Sequence, residues 1–158
     1  MPAPGNRRAH GIHPRRSARL PGGPPGPSVR VLGVDFGLRH LGIAVSDETA
    51  MLATPLRVLR IASVREAPEA VTDAAEKAGA GSIVVGVPLG LEGEERRKEV
   101  RRVERFAHAL RKRSGLEVFL VDESLSTREA GRQGHAQAAA VILQRWLDRP
   151  RTSKGAKA

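Results

Sequence analysis

An α/β fold is predicted, a mixed five-stranded sheet covered by helices, and three observations lead to it. The chain has 158 residues, enough for one hydrophobic core. Five short segments rich in Val, Ile and Leu read as strands, and three longer ones with apolar residues at three- and four-residue steps read as helices. The first three strands are consecutive and the rest alternate with helices, an order that mixes antiparallel and parallel pairing.

Val29–Asp35 is a β-branched run ending in a carboxylate, and Leu41–Ser46 is a second strand. Between them, Phe36–His40 contains Gly37 and fits a hairpin connection. Leu56–Ile61, after Pro55, is the third strand. A helix follows with Pro68 in its first turn and Gly79 at its end. Ser82–Val87 is continuously apolar, the pattern of a strand buried on both faces. Glu94–Arg113 carries Val100, Val103, Phe106, Ala107 and Leu110 along one stripe, so it reads as an amphipathic helix. Leu116–Val121 is the last strand and leads into Asp122-Glu123. Thr127–Ala130 starts a short helix, and Ala136–Trp146 closes the domain with Ala138, Val141, Ile142 and Trp146 as its core side.

Composition narrows the class. There is no cysteine, which excludes disulfides and thiolate metal sites and leaves a cytoplasmic protein as the expectation. No apolar run approaches the ~18–20 residues a membrane span needs. The net charge is +10, and much of it lies at the ends. Residues 1–28 hold five Arg, seven Pro, five Gly and no acid; they read as a disordered basic arm. Residues 149–158 form a basic tail with four Lys or Arg, while 29–148 holds 18 basic against 17 acidic residues. Two one-signed tails suit a polyanionic partner such as nucleic acid.

Residues able to carry chemistry sit at element ends. Asp35 closes the first strand, Asp122 and Glu123 follow the last, and His135 opens the final helix. Carboxylates at the ends of strands face the usual ligand crevice of an α/β sheet. Oxygen ligands of this kind suit Mg²⁺ or Mn²⁺, and a pair of such ions can activate water against a phosphodiester. A zinc hydrolase fits less well, for there is no His-Glu-x-x-His run. Residues 96–113 carry nine Lys or Arg and two Glu, so Arg96, Arg97, Lys98, Arg101 and Arg105 are candidate phosphate contacts. Arg39 and His40, close to Asp35, are further candidates for the scissile phosphate. Few aromatics mean that base stacking is not the main mode of recognition.

Several motifs, in one order, carry a resemblance. Gly33-Val34-Asp35-Phe36-Gly37 with Leu41-Gly42-Ile43-Ala44-Val45-Ser46, then Ile83-Val84-Val85-Gly86-Val87-Pro88-Leu89 with Gly93, resemble the YqgF family. So do Val121-Asp122-Glu123-Ser124-Leu125-Ser126-Thr127 and Ala138–Leu143. The resemblance covers about residues 30–148 and implies an RNase H-like fold, related to the RuvC-type resolvases. It also implies a metal-dependent nuclease that matures the 5′ end of pre-16S rRNA, or a Holliday-junction resolvase, with a two-metal site and no nucleotide cofactor. Carried over residue by residue, Asp35 and Glu123 are catalytic metal ligands, with Asp122 in support.

Two places depart from the family pattern. His135 stands where the family's third acidic ligand, an Asp, is expected, and the stretch before it is shortened to Gly131–Gly134. Imidazole can ligate a metal but brings no negative charge and favours Mn²⁺ over Mg²⁺. His135 is therefore a third ligand or a nearby base, or else the chain is a nucleic-acid-binding protein with impaired catalysis. Gly86–Gly93 reads as a shaped loop that positions the substrate backbone. A sugar-kinase or actin-type ATPase shares the first motif but needs two such domains, and Asp35-Phe36-Gly37 lacks the other protein-kinase motifs. The oligomeric state, monomer or homodimer, stays open.

Overall fold

In the computed structural model, residues 29–88, 91–123 and 134–150 are described, at positions 88 and 123 for the backbone alone. The basic arm 1–28, residues 124–133 with the short helix expected at Thr127–Ala130, and the tail beyond Pro150 lie outside the described residues.

Five strands form one sheet: β1 (Arg30–Phe36), β2 (His40–Ser46), β3 (Ala53–Arg60), β4 (Ala80–Pro88) and β5 (Glu117–Glu123). Their order is β3-β2-β1-β4-β5, with β1 antiparallel to β2, β2 antiparallel to β3, and β1, β4 and β5 mutually parallel. This is the mixed sheet expected from three consecutive strands followed by helix–strand alternation. The carboxyl ends of β1, β4 and β5 consequently share one sheet edge. There Asp35 lies opposite Gly42, Val87 opposite Asp122, and Pro88 opposite Glu123.

Among the described residues three α-helices cover the sheet: α1 (Ala67–Ala78), α2 (Gly93–Ser114) and α3 (His135–Leu147). Pro68 sits in the first turn of α1, where its missing N–H costs nothing, and Gly79 ends the helix with a φ of 67°. On one face, α1 and α2 bury Leu32, Val34, Leu41, Ile43, Ile83 and Val85 beneath Val71, Val103, Phe106 and Leu110. On the other, α3 covers Val31, Ala44, Val84 and Val121 with Ala139, Ile142 and Leu143. Strand alternation sorts these sets, since successive side chains point to opposite faces.

The α3 face is built for close approach. A Cβ on Gly33 would stand 2.7 Å from Leu143 Cβ and 2.9 Å from the Ala139 carbonyl oxygen. A Cβ on Gly42 would run into the backbone carbonyl of His135. These two glycines let the helix backbone lie on the sheet. Gln144 then fastens α3 to the edge: its Oε1 accepts from Ala53 N–H at 2.9 Å, and its Nε2 donates to the Met51 carbonyl at 2.9 Å.

Two elements run further than the sequence suggests. β3 starts at Ala53 and passes through Pro55, whereas Leu56 was its expected start. The pairing shifts between Ile43 and Ala44, so Arg57 and Pro55 oppose them and Leu56 has no counterpart. A bulged edge strand tolerates a residue without an N–H. Likewise β4, expected over Ser82–Val87, runs from Ala80 to Pro88, because its pairing to β5 continues as far as Glu123.

Candidate functional site

Asp35 and Phe36 end the central strand and point to opposite faces. The Phe36 ring stacks on Phe106 of α2, centroids 4.4 Å apart and planes at 16°, which pins the strand end from below. Asp35 belongs to the other alternation set, with Val31 and Gly33, and therefore rises on the α3 face. There the first residue of α3 meets it: His135 Nδ1 lies 3.4 Å from Asp35 Oδ2. The Asp35 side chain is 18% exposed and that of His135 50%, so the pair is sheltered on the sheet side and open towards solvent.

His40, at the start of β2, completes the group. Its ring stacks on that of His135, centroids 5.4 Å apart and planes at 6°. Opposite His40 across the β2–β3 ladder is Arg60. The turn carrying Arg39 is closed onto the end of β3, since the Ile61 N–H donates to the Arg39 carbonyl at 3.0 Å. An open cavity of about 310 Å³ lies here, lined by Arg39, His40, Arg60, Ile61 and Ala62. Arg60 was not singled out in the sequence, because an Arg ending an edge strand carries no signal until the pairing is known.

The structure treats the other candidates differently. Glu123 lies at the same sheet edge, in step along β5 with Val121 and Phe119. Asp122 is exposed and opposite Val87, which packs into the α1–α2 core, as do Val118 and Leu120 in the same alternation set. The expected grouping of Asp122 with Asp35 is thus corrected: a one-residue step along a strand reverses the face. Arg96, Arg97, Lys98, Arg101 and Arg105 are exposed on α2, which covers the sheet face opposite α3, so that helix does not flank the Asp35–His135 pair. Arg97 and Arg101 lie 3.6 and 3.5 Å from the Glu94 carboxylate, which offsets part of their charge.

As to metal binding, no group of three His, Cys, Asp or Glu side chains able to hold an ion occurs among the described residues. Asp35 and His135 supply two of the donors such a site needs, an oxygen and a nitrogen. Their 3.4 Å separation is close to that of neighbouring ligands ~2.0–2.2 Å from one ion. An oxygen and a nitrogen donor at that spacing suit a divalent ion.

The family model described as "RuvX: Holliday junction resolvase" matches residues 29–149. The chain belongs to the RuvX family. The YqgF resemblance of its motifs is thereby borne out. Curated relatives carry names assigning them as candidate pre-16S rRNA nucleases. One from Synechococcus sp. (strain JA-3-3Ab) is 40% identical over 141 residues, covering 80% of this chain and 88% of the relative. Another, from Maridesulfovibrio salexigens, is 34% identical over 135 residues, covering 77% and 99%. Among solved structures, Thermus thermophilus RuvC in complex with a Holliday junction substrate superposes with a TM-score of 0.53 at 16% identity, covering 75% of this chain and 93% of that one. That likeness shows the fold, which is RNase H-like. No helix among the described residues is long and apolar enough to cross a membrane.

Proposed function

We propose that this member of the RuvX family is a divalent-metal-dependent nuclease that hydrolyses phosphodiesters of structured nucleic acid, in 5′-end processing of pre-16S rRNA. The observation that carries this reading is the Asp35–His135 pair at the carboxyl edge of the parallel strands, on the face covered by α3. Asp35, His135 and Glu123 would hold Mg²⁺ or Mn²⁺. Bound there, such ions supply an activated water and neutralise charge on the leaving oxygen. The protein's own part is positional: Phe36 on Phe106 fixes the strand end, and α3 seated on Gly42 brings the imidazole to the carboxylate. Asp122 stays outside this group.

The basic arm 1–28, the tail from Arg149 and the cations of α2 gather the substrate through sequence-independent attraction that weakens with salt. Work on ribosomal RNA would take place in the cytoplasm. The family description favours a second reading, resolution of branched DNA, which would act as a homodimer because a junction is cut symmetrically.

The test is cleavage of a 5′-extended 16S precursor fragment and of a four-way DNA junction, each with Mg²⁺ or Mn²⁺, for wild type and Asp35→Asn. The expected result is metal-dependent cutting of the RNA, absent in the variant. Cutting of the junction alone would select the second reading. If neither substrate is cut while salt-sensitive binding persists, the chain is a binding protein and the nuclease reading falls.

A further inference from the structure

We infer that Arg39, His40 and Arg60 form a subsite for a second phosphate of the substrate strand, one flanking the cut. This rests on the nuclease reading and assigns the cavity beside its centre. Two segments distant in sequence bring the cations together: Arg39 from the β1–β2 turn and Arg60 from the end of β3, joined by the Ile61–Arg39 backbone hydrogen bond. Both side chains are exposed, and among the described residues neither enters an ion pair. Unneutralised guanidinium groups beside one cavity repel each other until an anion joins them. Guanidinium is also the group whose planar fork matches phosphate oxygens two at a time.

The cavity lies beside the carboxylate and not over it: neither Asp35 nor His135 is among its lining residues. Arg60 stands on β3, two strands from Asp35 on β1, and strand spacing puts these backbones ~10 Å apart. An anion in the cavity and one at Asp35 are therefore separate groups. His40 links them: it lines the cavity and stacks on His135, which contacts Asp35. His40, Arg60 and Asp35 lie on one sheet face along one edge, so a single strand running across that edge meets both places. The carboxylate lies towards the centre of the sheet and the cations at its β3 side.

The test is binding, in EDTA, of the substrate that the cleavage assay selects, the 5′-extended 16S precursor fragment or the four-way DNA junction, and of the same substrate with single neutral methylphosphonate linkages placed along the cut strand. Wild type, Arg39→Gln, Arg60→Gln and Arg60→Lys are compared, and their melting temperatures confirm folding. One flanking linkage is expected to weaken wild-type binding about tenfold. Arg60→Gln loses a similar factor on the unmodified substrate, its salt slope falls by about one, and the neutral linkage then costs it nothing more. Arg60→Lys recovers only part of the loss, because the point charge lacks the fork. Equal binding by wild type and both Gln variants, or losses that add at every linkage, would overturn the subsite. So would inorganic phosphate filling the cavity while substrate binding stays indifferent to every linkage. Binding in EDTA needs no cleavage, so absence of metal-dependent cutting would sink the nuclease reading separately.

Discussion

On one face of the sheet, α1 and α2 bury Leu, Ile, Val and Phe in a thick apolar layer; on the other, α3 rests almost directly on the strands, over Gly33 and Gly42. The first arrangement contributes stability through area removed from water. The second contributes proximity. Without a Cβ at Gly42, the backbone of His135 can lie against β2, and only then does its imidazole reach Asp35. The difference teaches that the two faces fail differently: losing a side chain from the thick layer leaves a cavity, and adding an atom to the thin one moves the site.

Four substitutions sharpen or break that contrast. Leu110→Ala, in the fully buried centre of the α1–α2 layer, should lower stability by about 2–5 kcal/mol while leaving activity per folded molecule unchanged. Denaturant unfolding beside cleavage rates on the folded fraction checks this; a matching drop in rate would mean that the layers are not independent. Gly42→Ala should do the reverse. It should cost about 1–3 kcal/mol by overpacking. A displacement of ~1 Å at His135 should slow cleavage by about 100-fold. Normal rates in a folded Gly42→Ala protein would remove proximity as the purpose of the thin face.

A third substitution, His135→Asp, restores a carboxylate to the first turn of α3. It should raise the Mg²⁺-to-Mn²⁺ activity ratio by at least about tenfold, the scale on which even outer partners of a metal ligand act. An unchanged ratio would take His135 out of the ligand set.

The smallest effect belongs to the β2–β3 turn that Gln144 of α3 grips. Asp47 there is held at about 2, below its ordinary 3.8, chiefly by the Leu52 N–H, then by the Thr49 hydroxyl and the Met51 N–H. A depressed carboxylate stabilises the fold above its unfolded value and loses that contribution as pH falls through its folded value. Wild type should therefore melt above Asp47→Asn at pH 5, and the gap should close between pH 4 and 2. A gap independent of pH would show that the turn does not depend on the charge.

Much of this was legible in the residues. The strand runs and the 3.6-residue stripe of α2 are local patterns, and Asp35 announced itself as a carboxylate ending an apolar strand. Asp122 was read only as a supporting carboxylate after the last strand, although period-two alternation from Val118 and Leu120 carries it to the α1–α2 face. The position of the basic helix behind the sheet, Arg60 beside His40, and the glycine seat beneath α3 depend on strand order and register. Those are long-range pairings, and no single segment encodes them.

The pairing of residue 35 with residue 135 also has a meaning in time. A hundred positions separate the two groups. At synthesis rates of about 5–20 residues per second, the imidazole leaves the peptidyl centre roughly 5–20 s after the carboxylate. Throughout that interval the growing chain holds Asp35 without His135, and a copy terminated before α3 never gains that imidazole. The site is thus assembled last, so a half-made molecule has no paired centre with which to act on nucleic acid.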